Sequence, residues 1–219
     1  MKTYYKRRLP HLHPIGATFF VTWRLHGSLP GSVVQQLSQE HIDEVQRLAS
    51  QNLPFDDHEE KLHLLRFRYF LKFDKALDSA THEESPHCLH QPEAATIVKN
   101  FVAAYDGLWY HLYALCIMSN HVHAVMDFSA QLRNEHLSPL DAKPYKQLWQ
   151  VMKHIKGASA IQINQLLNRE GRLWQEESYD RYIRNPNHLN NAIRYTYMNP
   201  VKAGICKNWQ DYPFTYVKK

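Results

Sequence analysis

No apolar run in this chain is long enough to span a bilayer, and its first residues, MKTYYKRRLP, have no hydrophobic segment behind them. A transmembrane helix and a secretory signal are therefore not expected, and the chain reads as cytoplasmic with no membrane partner. Cysteine is scarce. Cys88, Cys116 and Cys206 are scattered and odd in number, with no CxxC pair, which fits a reducing compartment and buried or incidental thiols. There is no HExxH signature either, so a zinc hydrolase built on the many histidines lacks its usual scaffold. No internal repeat, low-complexity tract or long linker interrupts the 219 residues. One domain over 1–219 is expected, with a basic arm at about 1–14 and an extension at about 200–219.

A hydrophobic content of 44% is enough for a real core, and the charge is uneven. Residues 143–219 carry 13 Lys and Arg against 5 Asp and Glu, whereas the rest of the chain carries 13 against 16. The first eight residues add Lys2, Lys6, Arg7 and Arg8 with no acid. A basic C-terminal third and a basic arm suit a polyphosphate partner such as nucleic acid; a solvated basic surface is the bland alternative. The 13 Tyr and 5 Trp include rings able to stack on unpaired bases, although most belong in a core.

Local patterns predict alternating strands and helices. A strand is read in 16–30, a helix over 31–51, a second over 60–77 and a third over 92–107, entered at Pro92. WYHLYALCIMSN and HVHAVMDF read as a strand pair. Residues 129–144 read as a loop. A helix follows over 144–171 with a possible break at Gly157, then an irregular stretch over 172–185 with a possible strand. The last helix is read over 186–199, stopped near Pro200.

The chemistry centres on CIMSNHVHAVMDF, residues 116–128. With 15 histidines in 219 residues, about one His-x-His is expected by chance. The chain indeed holds two, the other being His11 and His13 between Pro10 and Pro14, where a loop or turn is expected. Context separates them. On a strand the side-chain period is two, so His121 and His123 share a face while Val122, Ala124 and Met126 enter a core. Two imidazoles on a rigid strand form half of a metal site and leave positions for a third group and for substrate oxygens. The alternative is a pair of hydrogen-bonded histidines with no ion.

A third ligand and a nucleophile are sought in NNAIRYTYMNPVKAG, residues 190–204. Tyr195 and Asn199 are four apart, on one helical face. A phenolic oxygen can attack a phosphodiester, and an Asn oxygen can complete a metal shell. Tyr197 is a rival nucleophile about 200° around the helix. The alternative packs Tyr195 in a core and leaves Asn199 to cap the helix before Pro200.

Five blocks, taken in order, resemble a known family: RRLPHLH with GATFFVTWRL, FDKALDSA, YALCIMSNHVHAVM, IKGASAIQINQLLNREGRLWQEESYDRYIRN, and IRYTYMNPVKAGI. They are similar to the REP-associated tyrosine transposases, relatives of the IS200/IS605 transposases that carry an HUH (histidine-hydrophobic-histidine) motif. MSNHVH resembles the family's MPNHVH, with Ser119 in place of Pro. YTYMNPVKAG resembles its YIxxNPVRAG, with Thr196 in place of Ile. Neither departure removes a catalytic group.

The resemblance implies a fold and a set of roles. The fold is a ferredoxin-like α/β sandwich of the α+β class, an antiparallel sheet with helices and the histidines on a central strand. His121 and His123 bind Mg²⁺ or Mn²⁺, Asn199 stands where related transposases put a Gln ligand, and Tyr195 rather than Tyr197 is the nucleophile. The implied activity is cleavage and rejoining of single-stranded DNA beside REP-type hairpins, through a 5′-phosphotyrosine. The alternative is a domesticated hairpin-binding protein that does not cut. Relatives act as monomers or homodimers. Charge adds Arg7, Arg8, Lys153, Lys156, Arg181 and Arg184 as candidate DNA contacts. Asp78 lies in a matching block; the residues assign it no chemistry, and capping or structural pairing is the reading left for it.

Overall fold

The computed structural model describes residues 4–6, 10–80, 86–132 and 144–218. The chain divides into two compact units: residues 27–87 form one, and 1–26 with 88–219 form the other.

The larger unit opens with two short strands, β1 (Tyr4–Lys6) and β2 (Pro10–Leu12), paired antiparallel. A loop or turn was expected around His11, yet Pro10 begins β2. Proline is tolerated at the first residue of a strand, where its missing N–H costs no ladder bond. The seven-residue β3 (Thr18–Arg24) follows.

The smaller unit is a helical pair. Its α1 spans Gly31–Ala49 and its α2 spans Phe55–Ser79. The second helix begins five residues before the expected start. Pro54 precedes its first residue, and Asp56 and Asp57 in the first turn complement the helix dipole. The helices are tied by Lys72, whose ammonium lies 3.0 Å from Glu40 and 3.5 Å from Glu44, and by His41 stacked on Tyr69 at 4.6 Å. The ion-paired side chains are still partly open to solvent, so the pairs orient the helices more than they stabilise them.

The larger unit resumes with α3 (Pro92–Ala103), β4 (His111–Ile117), β5 (His121–Asp127), α4 (Leu148–Leu166), β6 (Tyr179–Tyr182), α5 (Pro186–Lys202) and β7 (Thr215–Val217). All five long-range strands pair antiparallel in the order β6-β3-β5-β4-β7. The succession β3-α3-β4-β5-α4-β6 in that order is the βαββαβ ferredoxin-like arrangement, so the expected fold class holds. The strand β7, which the sequence reading missed, extends the sheet beyond β4. Three residues with half-buried side chains carry too little periodicity to announce a strand.

The sheet has two different faces. Phe19, Val21 and Trp23 of β3, Leu115 and Ile117 of β4, and Val122, Ala124 and Met126 of β5 join Val98 and Val102 of α3 and Val151 and Ile155 of α4 in one buried cluster. This is the core. Full burial of such aliphatic side chains contributes roughly 1.5–3 kcal/mol each. A bulge in β4 between Leu112 and Ala114 lets Leu112 and Leu115 both enter the core despite their odd spacing. The opposite face carries Phe20, Thr22, Cys116, His121 and His123, and there α5 packs, against β4, β5 and β7.

Two helices differ from expectation in instructive ways. Gly157 does not break α4, which runs unbroken through it. One glycine costs about 1 kcal/mol against Ala, less than the anchoring that Val151, Ile155, Ser159 and Ile163 supply by burial along one stripe. Pro200 does not stop α5, which continues to Lys202. The stop is Gly204, at φ +72. Its N–H donates to the Val201 carbonyl and the Ile205 N–H to that of Pro200, a Schellman closure that satisfies the last carbonyls. Among the described residues, no helix is long and apolar enough to cross a membrane.

Candidate active site

Strand alternation places His121 and His123 on the α5 face of the central strand β5, both buried. Their rings lie 4.7 Å apart at 79°, and one ring nitrogen of each lies within 4.8 Å of the other's. That spacing is short enough for one ion to bind both.

Both Nδ1 nitrogens have polar partners. His121 Nδ1 lies 2.6 Å from Asn120 Oδ1, and His123 Nδ1 lies 2.7 Å from Thr22 Oγ1. A carboxamide oxygen only accepts, so His121 donates from Nδ1 and its lone pair sits on Nε2. The Thr22 hydroxyl can accept in the same sense from His123. Such partners fix the ring and the tautomer of a metal-binding histidine. Thr22 reaches His123 because β3 pairs β5 with Thr22 directly opposite His123. Phe20 covers the ring of His123, stacked at 5.8 Å and 11°.

The helix α5 supplies the other groups. Asn185 caps its start by accepting from the His188 N–H at 2.9 Å, and Pro186 occupies the first turn. Tyr195 meets His123 edge-on at 5.8 Å and Phe20 at 5.8 Å. Tyr197 turns away and packs on Trp209 at 5.0 Å. Asn199, one turn beyond Tyr195, is fully buried, yet neither Oδ1 nor Nδ2 of its carboxamide has a hydrogen-bond partner. An unpartnered buried amide costs about 1–3 kcal/mol. A cation beside Oδ1 would remove that cost, so the donor set of two imidazoles and one carboxamide oxygen fits a divalent ion. At the end of the helix, Lys202 places its ammonium 3.3 Å from the Tyr195 hydroxyl and 5.0 Å from its ring centre.

Comparison with known proteins agrees with the resemblance read from the motifs. No family model matches the chain. A Haemophilus influenzae protein described as a candidate REP-associated tyrosine transposase is 28% identical over 104 residues, 47% of this chain. The chain is similar to a REP-associated tyrosine transposase. The matched segment spans 56% of that relative's length. A solved structure of a REP-associated tyrosine transposase bound to a REP hairpin aligns at a TM-score of 0.46 and 15% identity, covering 96% of this chain and 81% of that one.

The candidate DNA contacts fall in three places. Arg7 and Arg8 lie outside the described residues. Arg181 pairs with Phe20 across β6 and β3, which puts it on the histidine face of the sheet. Burial pushes its guanidinium below its ordinary value; Tyr179 opposes that shift, and the neighbouring Arg184 adds to it. Burial first, then Arg181 and Arg184, also lowers His188 at the start of α5, so the three groups form one basic cluster near the tyrosine helix. Lys153 and Lys156 are elsewhere. They line a cavity of about 1010 Å³ on the α4 side of the sheet, with Val21 and Trp174 in its wall. There Lys156 donates to the Gln175 and Glu176 carbonyls at 2.7 and 2.8 Å and to Ser178 Oγ at 3.3 Å. It anchors the 175–178 segment.

Four residues of the site escaped the sequence reading: Phe20, Thr22, Asn120 and Lys202. Asn120 had a local signal, a carboxamide directly before the first histidine. Phe20 and Thr22 depend on strand register, which one sequence does not reveal. Lys202 was hidden by the expectation that Pro200 ends the helix.

Proposed function

We propose that this chain is a metal-dependent single-stranded DNA endonuclease and strand transferase that acts beside REP-type hairpins. The observation that carries the reading is Tyr195 edge-on to His123, with the unpartnered Asn199 amide one turn further along the same helix face. The similarity to a REP-associated tyrosine transposase supports the hairpin substrate.

In this reading the Tyr195 oxygen attacks the scissile phosphorus. An oxygen–phosphorus bond forms to Tyr195, the bond to the 3′ oxygen breaks, and the phenolic proton ends on that 3′ oxygen through water. The phosphotyrosine conserves the ester, so a 3′-hydroxyl can reverse the step and join strands without ATP. His121, His123 and Asn199 would hold Mg²⁺ or Mn²⁺, which supplies Lewis-acid polarisation of the phosphate oxygens. Asn120 and Thr22 orient the imidazoles. Phe20 and Tyr195 cover His123 and keep water from that ring. Arg181 and Arg184 are suited to hold flanking phosphates.

The test is a hairpin oligonucleotide with a single-stranded 5′ flank, incubated with Mg²⁺ or Mn²⁺ and resolved on a denaturing gel. Wild type is expected to form a covalent protein–DNA adduct, and Tyr195→Phe none. Hairpin binding by wild type with no adduct under either metal would instead favour a non-cleaving hairpin-binding protein.

A further inference from the structure

We propose that Lys202 is a catalytic residue of the same reaction, the cation that binds the phosphoryl group while it is attached to Tyr195. The inference rests on the proposed phosphotyrosine chemistry and adds a group to it. Three observations carry it.

The first is reach. The Lys202 ammonium lies 3.3 Å from the Tyr195 hydroxyl oxygen, the atom that would become bonded to phosphorus. The second is that the helix itself places it there. Because α5 runs through Pro200 and closes at Gly204, Lys202 remains helical, seven residues or about two turns beyond Tyr195 and on the same face. A helix stopped at Pro200 would leave Lys202 in a loop with no fixed relation to the phenol. The third is exposure. Lys202 is exposed while Asn199 is buried, so the cation stands at the solvent side of Tyr195, where a DNA strand would arrive.

The chemistry follows from the contact. When the Tyr195 oxygen bonds to phosphorus, the non-bridging oxygens come to lie two bonds beyond it, within reach of the same ammonium. An ammonium offers three donors and a full charge. It can therefore hold the phenolic oxygen and a non-bridging oxygen together, and it offsets the negative charge that develops between them. In the rejoining step the phenolic oxygen is the leaving group, and the same charge stabilises its departure. A divalent ion at the histidines and an ammonium at Lys202 would then flank the phosphate from two directions.

The experiment compares wild type, Lys202→Arg, Lys202→Gln and Lys202→Met on the hairpin oligonucleotide, with single-turnover adduct formation and hairpin affinity measured separately. Circular dichroism checks the fold of each variant. Gln keeps a hydrogen-bond donor without charge, whereas Arg keeps both. The expected result is a fall of about 10²–10³-fold in adduct rate for Met and Gln, with Arg within about tenfold of wild type and hairpin affinity within about threefold throughout. Rejoining of the adduct with a free 3′-hydroxyl strand is expected to slow in parallel. Wild-type rates in the Met variant would overturn the proposal while leaving the nucleophile assignment intact. An affinity loss as large as the rate loss would also overturn it, since Lys202 would then be an ordinary DNA contact. An intact adduct rate in Gln would reduce Lys202 to a positioning residue. Absence of adduct in wild type would remove the reading on which the proposal rests.

Discussion

The chain holds two His-x-His motifs, and they differ in what surrounds them rather than in their letters. His13, from the first, is buried with Nε2 3.1 Å from the buried Asp180 carboxylate and its ring edge-on to Phe19 at 5.2 Å. It joins the strands at the β6 edge and lies in the wall of the α4-side cavity. His123, from the second, pairs with a neutral hydroxyl, lies 4.7 Å from a second imidazole, and meets the ring of Tyr195 edge-on at 5.8 Å. The polar partner alone does not decide a histidine's role, because the second nitrogen of a metal-binding histidine bonds a carboxylate as readily as a neutral oxygen. What sets His123 apart is the second imidazole beside it, a pair of donors that one ion could share. The spacing of two is noise until the strand and its partners are known.

Substituting each motif in turn should separate them most strongly. His123→Ala is expected to lower the rate of adduct formation by about 10³-fold or more. His13→Ala should leave that rate within about threefold of wild type, but cost about 1–3 kcal/mol of stability in urea unfolding, because the buried Asp180 carboxylate loses this imidazole contact. Equal activity losses in both variants would erase the distinction between the motifs.

Asn199 gives the next largest effect, and one of mixed sign. Asn199→Leu removes an amide that is buried without partners, at similar volume. The metal-free protein is expected to gain about 1 kcal/mol of stability, while Mn²⁺ affinity by calorimetry falls by more than about 100-fold, beyond what loss of an outer partner costs. A stability loss of several kcal/mol with unchanged Mn²⁺ binding would show that the amide is structural.

The smallest effect belongs to the partners of the imidazoles. Thr22→Val and Asn120→Ala leave every proposed ligand in place. Each should lower Mn²⁺ affinity by about 10–100-fold through loss of ring orientation alone. Unchanged affinity in both would mean that the Nδ1 contacts do not prepare the histidines for an ion.

The sequence was most legible where short-range periodicity decides structure. The alternation of His121 and His123 with Val122 and Ala124 gave the strand and its faces, and the spacing of Tyr195 and Asn199 gave their common helical stripe. Pairing across the sheet was not legible. Thr22 and His123 are 101 residues apart, and their contact exists only through the β3–β5 register. Punctuation also misled: Pro200 and Gly157 are poor helix residues, but α5 is closed by Gly204 and α4 is held by its buried stripe. The misjudged end of α5 concealed Lys202, and with it the contact to the Tyr195 hydroxyl.

The central claim is that Tyr195, and not the neighbouring Tyr197, becomes bonded to DNA. The direct measurement is mass spectrometry of the protein–DNA adduct after digestion of the DNA to a short 5′-phosphate remnant, with fragmentation of the peptide that holds both tyrosines. The expected result is the added mass on Tyr195 alone. The remnant on Tyr197, which packs on Trp209, or on neither tyrosine, would contradict the account.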